Sequence, residues 1–132
     1  MSLTEYKNLT LVRKGGIIPD LPFLTIKEKI LGKGYSLTVI FCSPEESRMR
    51  NKEYRDKDYP TNILSFPLDD KEGEIYISLS TARRDAKKFE MSYNKFLHLL
   101  FIHGALHLKG HDHGSTMEQL EEKYLQAFFR GN

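Results

Sequence analysis

The residues able to do chemistry are concentrated in one run, Phe101-Ile102-His103-Gly104-Ala105-Leu106-His107-Leu108-Lys109-Gly110-His111-Asp112-His113. Four of the five histidines of the chain fall within it. His103, His107 and His113 stand at offsets i, i+4 and i+10, with Gly110 at i+7. Residues four apart on a helix are separated by about 40° in azimuth. His103 and His107 therefore share one face, and both imidazoles reach one ion. Gly110 lets the chain turn back, and His113 arrives as a third ligand from outside the helix. Imidazole favours zinc and its first-row neighbours. Structural zinc sites are closed by four protein ligands and are rich in cysteine, whereas catalytic sites keep three and an open position for water. Three histidines without cysteine match the catalytic arrangement. An ion so held lowers the pKa of bound water toward about 7.

The same histidine spacing occurs in the zinc-protease motif H-E-x-x-H-x-x-G-x-x-H. The glutamate that serves those enzymes as general base is Gly104 here, so the site is not wired as a peptidase. His98 lies about 140° around the helix from His103 and is expected to be a hydrogen-bonded core histidine. His111, in the turn, is an alternate ligand or proton carrier. Asp112 either orients a ligand histidine from behind or is a turn residue.

The run must be carried by a helix from Asn94 to Lys109. That segment is apolar almost all round, as buried core helices are, and Gly110 stops it. Upstream, Asn8 to Arg13 reads as a strand. Asp20 and Pro22 open a short helix with Phe23, Ile26 and Ile30 on one face, ended by Gly32. Ser36 to Cys42 is β-branched and nearly continuously apolar, hence a central strand. Ser43-Pro44-Glu45-Glu46 is a capping box that opens a helix to about Tyr54. Thr61 to Pro67 is a strand flanked by prolines, which places it at a sheet edge. A turn at Asp69 to Gly73 joins it to a strand from Glu74 to Ser78, most simply as an antiparallel hairpin. A helix follows from Thr81 to about Phe89, with Ala82, Ala86 and Phe89 inward. Ser115 and Glu118 form a second capping box for a last helix to about Phe129, with Met117, Leu120, Tyr124 and Phe128 inward. The expected architecture is α/β (α+β): a small mixed four-stranded sheet packed with about five helices, the metal site at the end of the central buried one.

The 132 residues, 39% of them hydrophobic, suit one domain spanning residues 1–132 with a single core. A formal net charge of +2 permits nucleic-acid binding without demanding it. Cys42 is the only cysteine. It fits core filling in a reducing compartment. No secretory signal is expected, because the N-terminus lacks an apolar core. Leu97 to Leu108 is interrupted by histidines and too short to span a bilayer. A soluble cytoplasmic protein is the expectation.

The chain resembles the YbeY family, bacterial metal-dependent endoribonucleases of ribosomal RNA maturation. The family signature is close to H-G-x-L-H-L-x-G-Y-D-H. Residues 103–113 match it at every fixed position except His111, where tyrosine is usual. Asn51-Lys52-Glu53-Tyr54-Arg55 and Pro60-Thr61-Asn62-Ile63-Leu64-Ser65-Phe66-Pro67 are similar to its N-x-x-Y-R and P-T-[DN]-V-L-S-F-P blocks. Gly73 to Ser78 is similar to its G-D-I-x-I-S. The resemblance implies a compact α/β fold and one zinc, or another first-row ion such as nickel, on His103, His107 and His113. It implies a functional role for Arg55. The implied substrate is single-stranded RNA, with the 3′ end of small-subunit ribosomal RNA as the usual target. Ribosome quality control is a linked role, and the small ribosomal subunit with its associated proteins is a candidate partner. Neither a membrane nor DNA is expected.

Phosphodiester cleavage builds negative charge on non-bridging oxygens, which a metal and an arginine both stabilise. Arginine also offers a planar fork of donors matched to phosphate, which agrees with the catalytic role that the resemblance implies for Arg55 together with His103. Without the resemblance, Arg55 reads as a solvated arginine at a helix end. The attacking group is either water or the RNA 2′-hydroxyl. His111, Asp112 and Glu74 are the candidates for a protein base. Arg48, Arg50, Lys52, Arg83, Arg84, Lys87 and Lys88 are candidates to track the RNA backbone, against the alternative of solvated helix faces. The main competing reading is an RNA-associated module whose metal mainly stabilises the fold. Gly104 argues against a peptidase.

Overall fold

The structure, a computed structural model, describes residues 1–130. Strands β1 (Ser2–Tyr6) and β2 (Leu9–Arg13) are followed by helix α1 (Phe23–Leu31), strand β3 (Ser36–Cys42) and helix α2 (Pro44–Arg55). Then come β4 (Ile63–Asp69), β5 (Glu72–Ser78), α3 (Leu79–Lys88), α4 (Tyr93–Lys109) and α5 (Ser115–Phe128). The sheet has the order β1-β2-β3-β5-β4. The inner pairs β2/β3 and β3/β5 are parallel, and the outer pairs β1/β2 and β4/β5 antiparallel.

The sheet therefore has five strands, not the expected four. The extra one is β1, whose five residues are all exposed. Ser2 to Tyr6 buries nothing, so it carries no apolar alternation to read. It is added through a tight hairpin in which Asn8 takes φ 61° and its side-chain amide donates to the Lys33 carbonyl at 2.9 Å.

The expected central position of β3 holds. Leu37, Val39 and Phe41 face the main core with Leu9, Leu11, Ile75 and Ile77, while Ile40 and Cys42 face a second, smaller cluster with Leu64 and Tyr76. Burial pushes the Cys42 thiol up to about 11, as expected for core filling. Helices α1 and α4 cover the main face. The Phe23 ring meets Phe101 and Phe41 edge-on at centroid distances of 5.0 and 5.8 Å. α2 covers part of the other face, where the Arg50 guanidinium lies 4.6 Å from the Tyr76 ring centroid.

Helix α4 is held at both ends. Ser92 accepts from the Lys95 N–H, and Gly110, at φ 110°, closes the C-terminus by donating to the His107 carbonyl. Ser43 caps α2 as expected, accepting from the Glu46 N–H at 3.1 Å. The reciprocal half of that box is not made, because the Glu46 carboxylate turns to Lys14 at 2.9 Å and to Arg50 at 3.5 Å. The box expected at Ser115 is absent. Gly114 is the N-cap of α5, Ser115 lies inside the first turn, and no side chain caps this end. Phe89 is 63% exposed rather than inward, because α3 ends at Lys88 and Phe89 is its C-cap. β4 lies at the sheet edge as expected, carries Pro67, and shifts register between Pro67 and Asp69.

Candidate metal centre

The last two turns of α4 present His103 and His107 side by side, and the turn at Gly110 returns His113 to them. One ligand nitrogen from each lies within 4.8 Å of the others. His107 Nδ1 donates to the His111 carbonyl at 3.1 Å, and His103 Nδ1 donates to Glu121 Oε2 at 2.9 Å. With both Nδ1 atoms committed as donors, each Nε2 keeps its lone pair. These two Nε2 atoms face one another at 3.0 Å. Two lone pairs converging at that distance repel unless a cation lies between them. A tetrahedral ion about 2.0–2.1 Å from each nitrogen needs separations of about 3.3 Å, so the His103–His107 pair is spaced for such an ion, with His113 within reach of both. The His107 imidazolium is disfavoured by burial, then by His103 and His113 beside it, and its pKa is lowered. This keeps the ring neutral and available as a ligand at neutral pH.

The triad forms one wall of a cleft of about 410 Å³ whose other lining residues are Arg55, Thr61, Asn62, Ile63 and Ser65. Arg55 is the last residue of α2, which Asp56 ends in a left-handed turn at φ 57°. The loop beyond is pinned back onto α2 by two buried side chains. Asn51 Nδ2 donates to the Tyr59 carbonyl at 3.0 Å, and Ser47 Oγ accepts from the Thr61 N–H at 3.0 Å. This fixes Arg55 and Thr61-Asn62 as opposite ends of one braced segment.

Gly104 has a packing reason. A Cβ there would lie 2.8 Å from Ile63 Cδ1, 2.9 Å from Ser65 Oγ and 3.2 Å from Ile75 Cδ1. The ligand helix thus rests directly on β4 and β5, with Ser65 Oγ donating to the Gly104 carbonyl at 3.3 Å.

Of the candidate bases, none lines the cleft. Asp112 is exposed. Glu74 lies on the sheet face opposite α4, in alternation with the core residues Ile75 and Ile77. His111 contributes its carbonyl to His107. His98 is a buried core histidine, its Nδ1 2.8 Å from the Asn94 carbonyl.

The structure brings Arg55 into the cleft but none of the other basic candidates. Arg48 pairs with Asp58 at 3.0 Å and with Glu45 at 3.8 Å, and Lys52 reaches Asp58 at 3.9 Å. Arg50 sits on the opposite sheet face. Arg83 stacks over Tyr93, 4.0 Å from the ring centroid. Arg84 and Lys88 flank Asp85 at 3.2 and 3.9 Å, and Asp85 accepts from Asn62 of the cleft wall at 2.9 Å. Lys87 is exposed on the same helix.

Reading by motif misses Glu121. Its signal is nonetheless present in the sequence: it falls on the Met117, Tyr124, Phe128 stripe, a carboxylate on the inward face of a helix. Ser47 and Asn51 also escape a reading by residue type, since their work is backbone bracing.

The profile described as Endoribonuclease YbeY matches residues 20–128. This chain belongs to the YbeY family. The YbeY endoribonuclease of Chelativorans sp. (strain BNC1) is 40% identical over 111 residues, covering 74% of this chain and 68% of the relative. That of Carboxydothermus hydrogenoformans is 38% identical over 121 residues, covering 84% and 83%. A protein of Thermotoga maritima solved in solution superposes with a TM-score of 0.63 at 30% identity, covering 88% of this chain and 87% of that one. The YbeY match spans α1 to α5, and so includes every residue of the cleft.

Proposed function

We propose that this protein is a metal-dependent endoribonuclease acting on single-stranded RNA, with zinc as the ion on His103, His107 and His113. The observation that carries the reading is a cleft where three histidines converge opposite Arg55 and which, among the described residues, no carboxylate lines. When bound, the ion supplies Lewis acidity and an activated water. The chain supplies the rest. Arg55 offers a fork of donors to the scissile phosphate, at a position where negative charge grows. Thr61 and Ser65 place hydroxyls along the same wall, and Asn62 is held by Asp85. The pinned loop keeps these groups at a fixed distance from the triad, which favours a substrate already in place for reaction.

Outside the cleft, Arg84, Lys87 and Lys88 of α3 are the best-placed groups to follow the RNA backbone. Arg84 and Lys88 adjoin Asn62 through Asp85. The resemblance in the sequence extends the reading to 3′-end maturation of small-subunit ribosomal RNA, ribosome quality control and a cytoplasmic place of work on the small subunit.

The deciding experiment measures metal content and cleavage of single-stranded RNA, with and without chelator, for the parent, Arg55→Ala and His107→Ala. Arg55→Ala is expected to keep the metal and lose cleavage by about 10²–10³-fold, and His107→Ala to lose both. Cleavage that survives His107→Ala overturns the assignment. A parent that binds metal and RNA but does not cut is a binding module.

A further inference from the structure

We propose that Glu121 is the positioning residue of the metal centre. From α5 it holds the His103 ring in its metal-binding orientation and supplies the negative charge that the neutral histidines lack. The inference rests on the triad's holding an ion, and is independent of what is cut.

Three observations carry it. The first is which atom is engaged. Glu121 Oε2 meets His103 at Nδ1, 2.9 Å away, while Nε2 of the same ring faces His107. A carboxylate only accepts, so it fixes the proton on Nδ1 and leaves the Nε2 lone pair free for an ion. The second is burial. The two side chains are only 22% and 16% exposed, so the pair is not a freely solvated surface contact of little worth. The third is the contrast with His107, whose Nδ1 donates to a neutral carbonyl, that of His111. Among the described residues, Glu121 is the carboxylate hydrogen-bonded to the triad, and the nearby charge in the cleft, Arg55, is positive. Glu121 lies behind the ring and does not line the cleft. Its oxygen is on the imidazole edge away from the ion position, which assigns it to orientation and electrostatics rather than to ligation or proton transfer with substrate.

Its placement follows from the fold. Met117, 1% exposed, anchors the first turn of α5, and Leu120 and Tyr124 pack on the core. Position 121, one turn after Met117, then faces the ligand helix.

The test uses the full-length protein stripped of metal, with Zn²⁺ affinity measured by chelator competition and no RNA present. Glu121→Ala is expected to bind about 10- to 100-fold more weakly than the parent. Glu121→Gln keeps an oxygen to accept from Nδ1–H but not the charge, and is expected to fall between the two. Glu118→Ala, an exposed carboxylate on the same helix, is expected to bind as the parent does. Cobalt-loaded samples add a spectroscopic readout: the visible bands of tetrahedral Co²⁺ should change in Glu121→Ala and recover in Glu121→Gln. Circular dichroism and the thermal midpoint of the metal-free variants report whether each is folded. If Glu121→Ala does not fold, the Glu121→Gln affinity decides. The proposal is overturned if folded Glu121→Ala binds Zn²⁺ as tightly as the parent, if Glu121→Gln is no tighter than Glu121→Ala, or if Glu118→Ala weakens binding equally. Where Glu121→Gln stands alone, a Zn²⁺ affinity equal to the parent's overturns it. A parent that binds no Zn²⁺ would instead refute the metal reading itself.

Discussion

At Gly104 two demands meet, and the packing demand decides the residue. The position follows the first ligand, where a peptidase needs its glutamate. Here a Cβ would press on Ile63, Ser65 and Ile75, and there is no room for a side chain. Gly104→Ala gains about 1 kcal/mol of helix propensity but must displace three packed atoms, and is expected to be destabilising by about 1 kcal/mol net. Gly104→Glu is expected to cost about 3 kcal/mol or more and to give no peptidase activity. Denaturant titration of both variants measures this, and a Gly104→Glu protein as stable as the parent would contradict the packing account. The three histidines are legible in the sequence because their relation is local, set by the pitch of one helix and one glycine turn. The inward place of Glu121 is readable from its helical stripe, but its pairing with His103 is not, because that partner is 18 residues away and the hydrogen bond depends on how α5 docks.

Among the elements, α2 and α3 look alike in sequence and differ in the structure. α2 carries four basic and three acidic residues, and α3 four basic and one acidic. On α2, Arg48 and Lys52 share Asp58, and Arg50 is turned to the far face. On α3, Arg84 and Lys88 adjoin the cleft wall with only Asp85 between them. The double variant Arg84→Ala, Lys88→Ala is therefore expected to weaken RNA binding and to flatten the log–log salt dependence by about 0.7 for each phosphate it no longer neutralises. Arg48→Ala with Lys52→Ala should leave the slope close to the parent's. Binding measured across a salt series checks this, and the opposite ranking would place the RNA along α2. The sequence shows which helices are basic. It does not show which charges are already paired, since Asp58 and Glu46 reach their partners through loop and helix geometry. The same limit explains β1, whose pairing to β2 buries no side chain.

At the scale of the whole molecule, the core is built without the ion. Phe41, Phe101, Ile26, Ile75 and Ile102 are fully buried between sheet and helices. Removal of metal is expected to leave the far-ultraviolet spectrum largely intact and to lower the thermal midpoint. Free ion at 100 times its dissociation constant contributes about 2.7 kcal/mol, which is about 5–10 °C for a chain of this size. A scan with and without chelator measures it, and loss of the folded spectrum would show that the ion is structural.

The free edge of β4 runs beside the cleft, and its backbone has a consequence for which polymers can lie there. Extended peptides are read by adding a strand to such an edge, one main-chain hydrogen bond at a time. Here Pro67 offers no N–H, and the register breaks between Pro67 and Asp69. A guest peptide finds a usable ladder only from Ile63 to Phe66. A nucleic-acid strand needs no ladder, since it is held by its phosphates and its bases. The blunted edge thus discriminates between two kinds of chain at the level of the backbone, before any side chain is consulted.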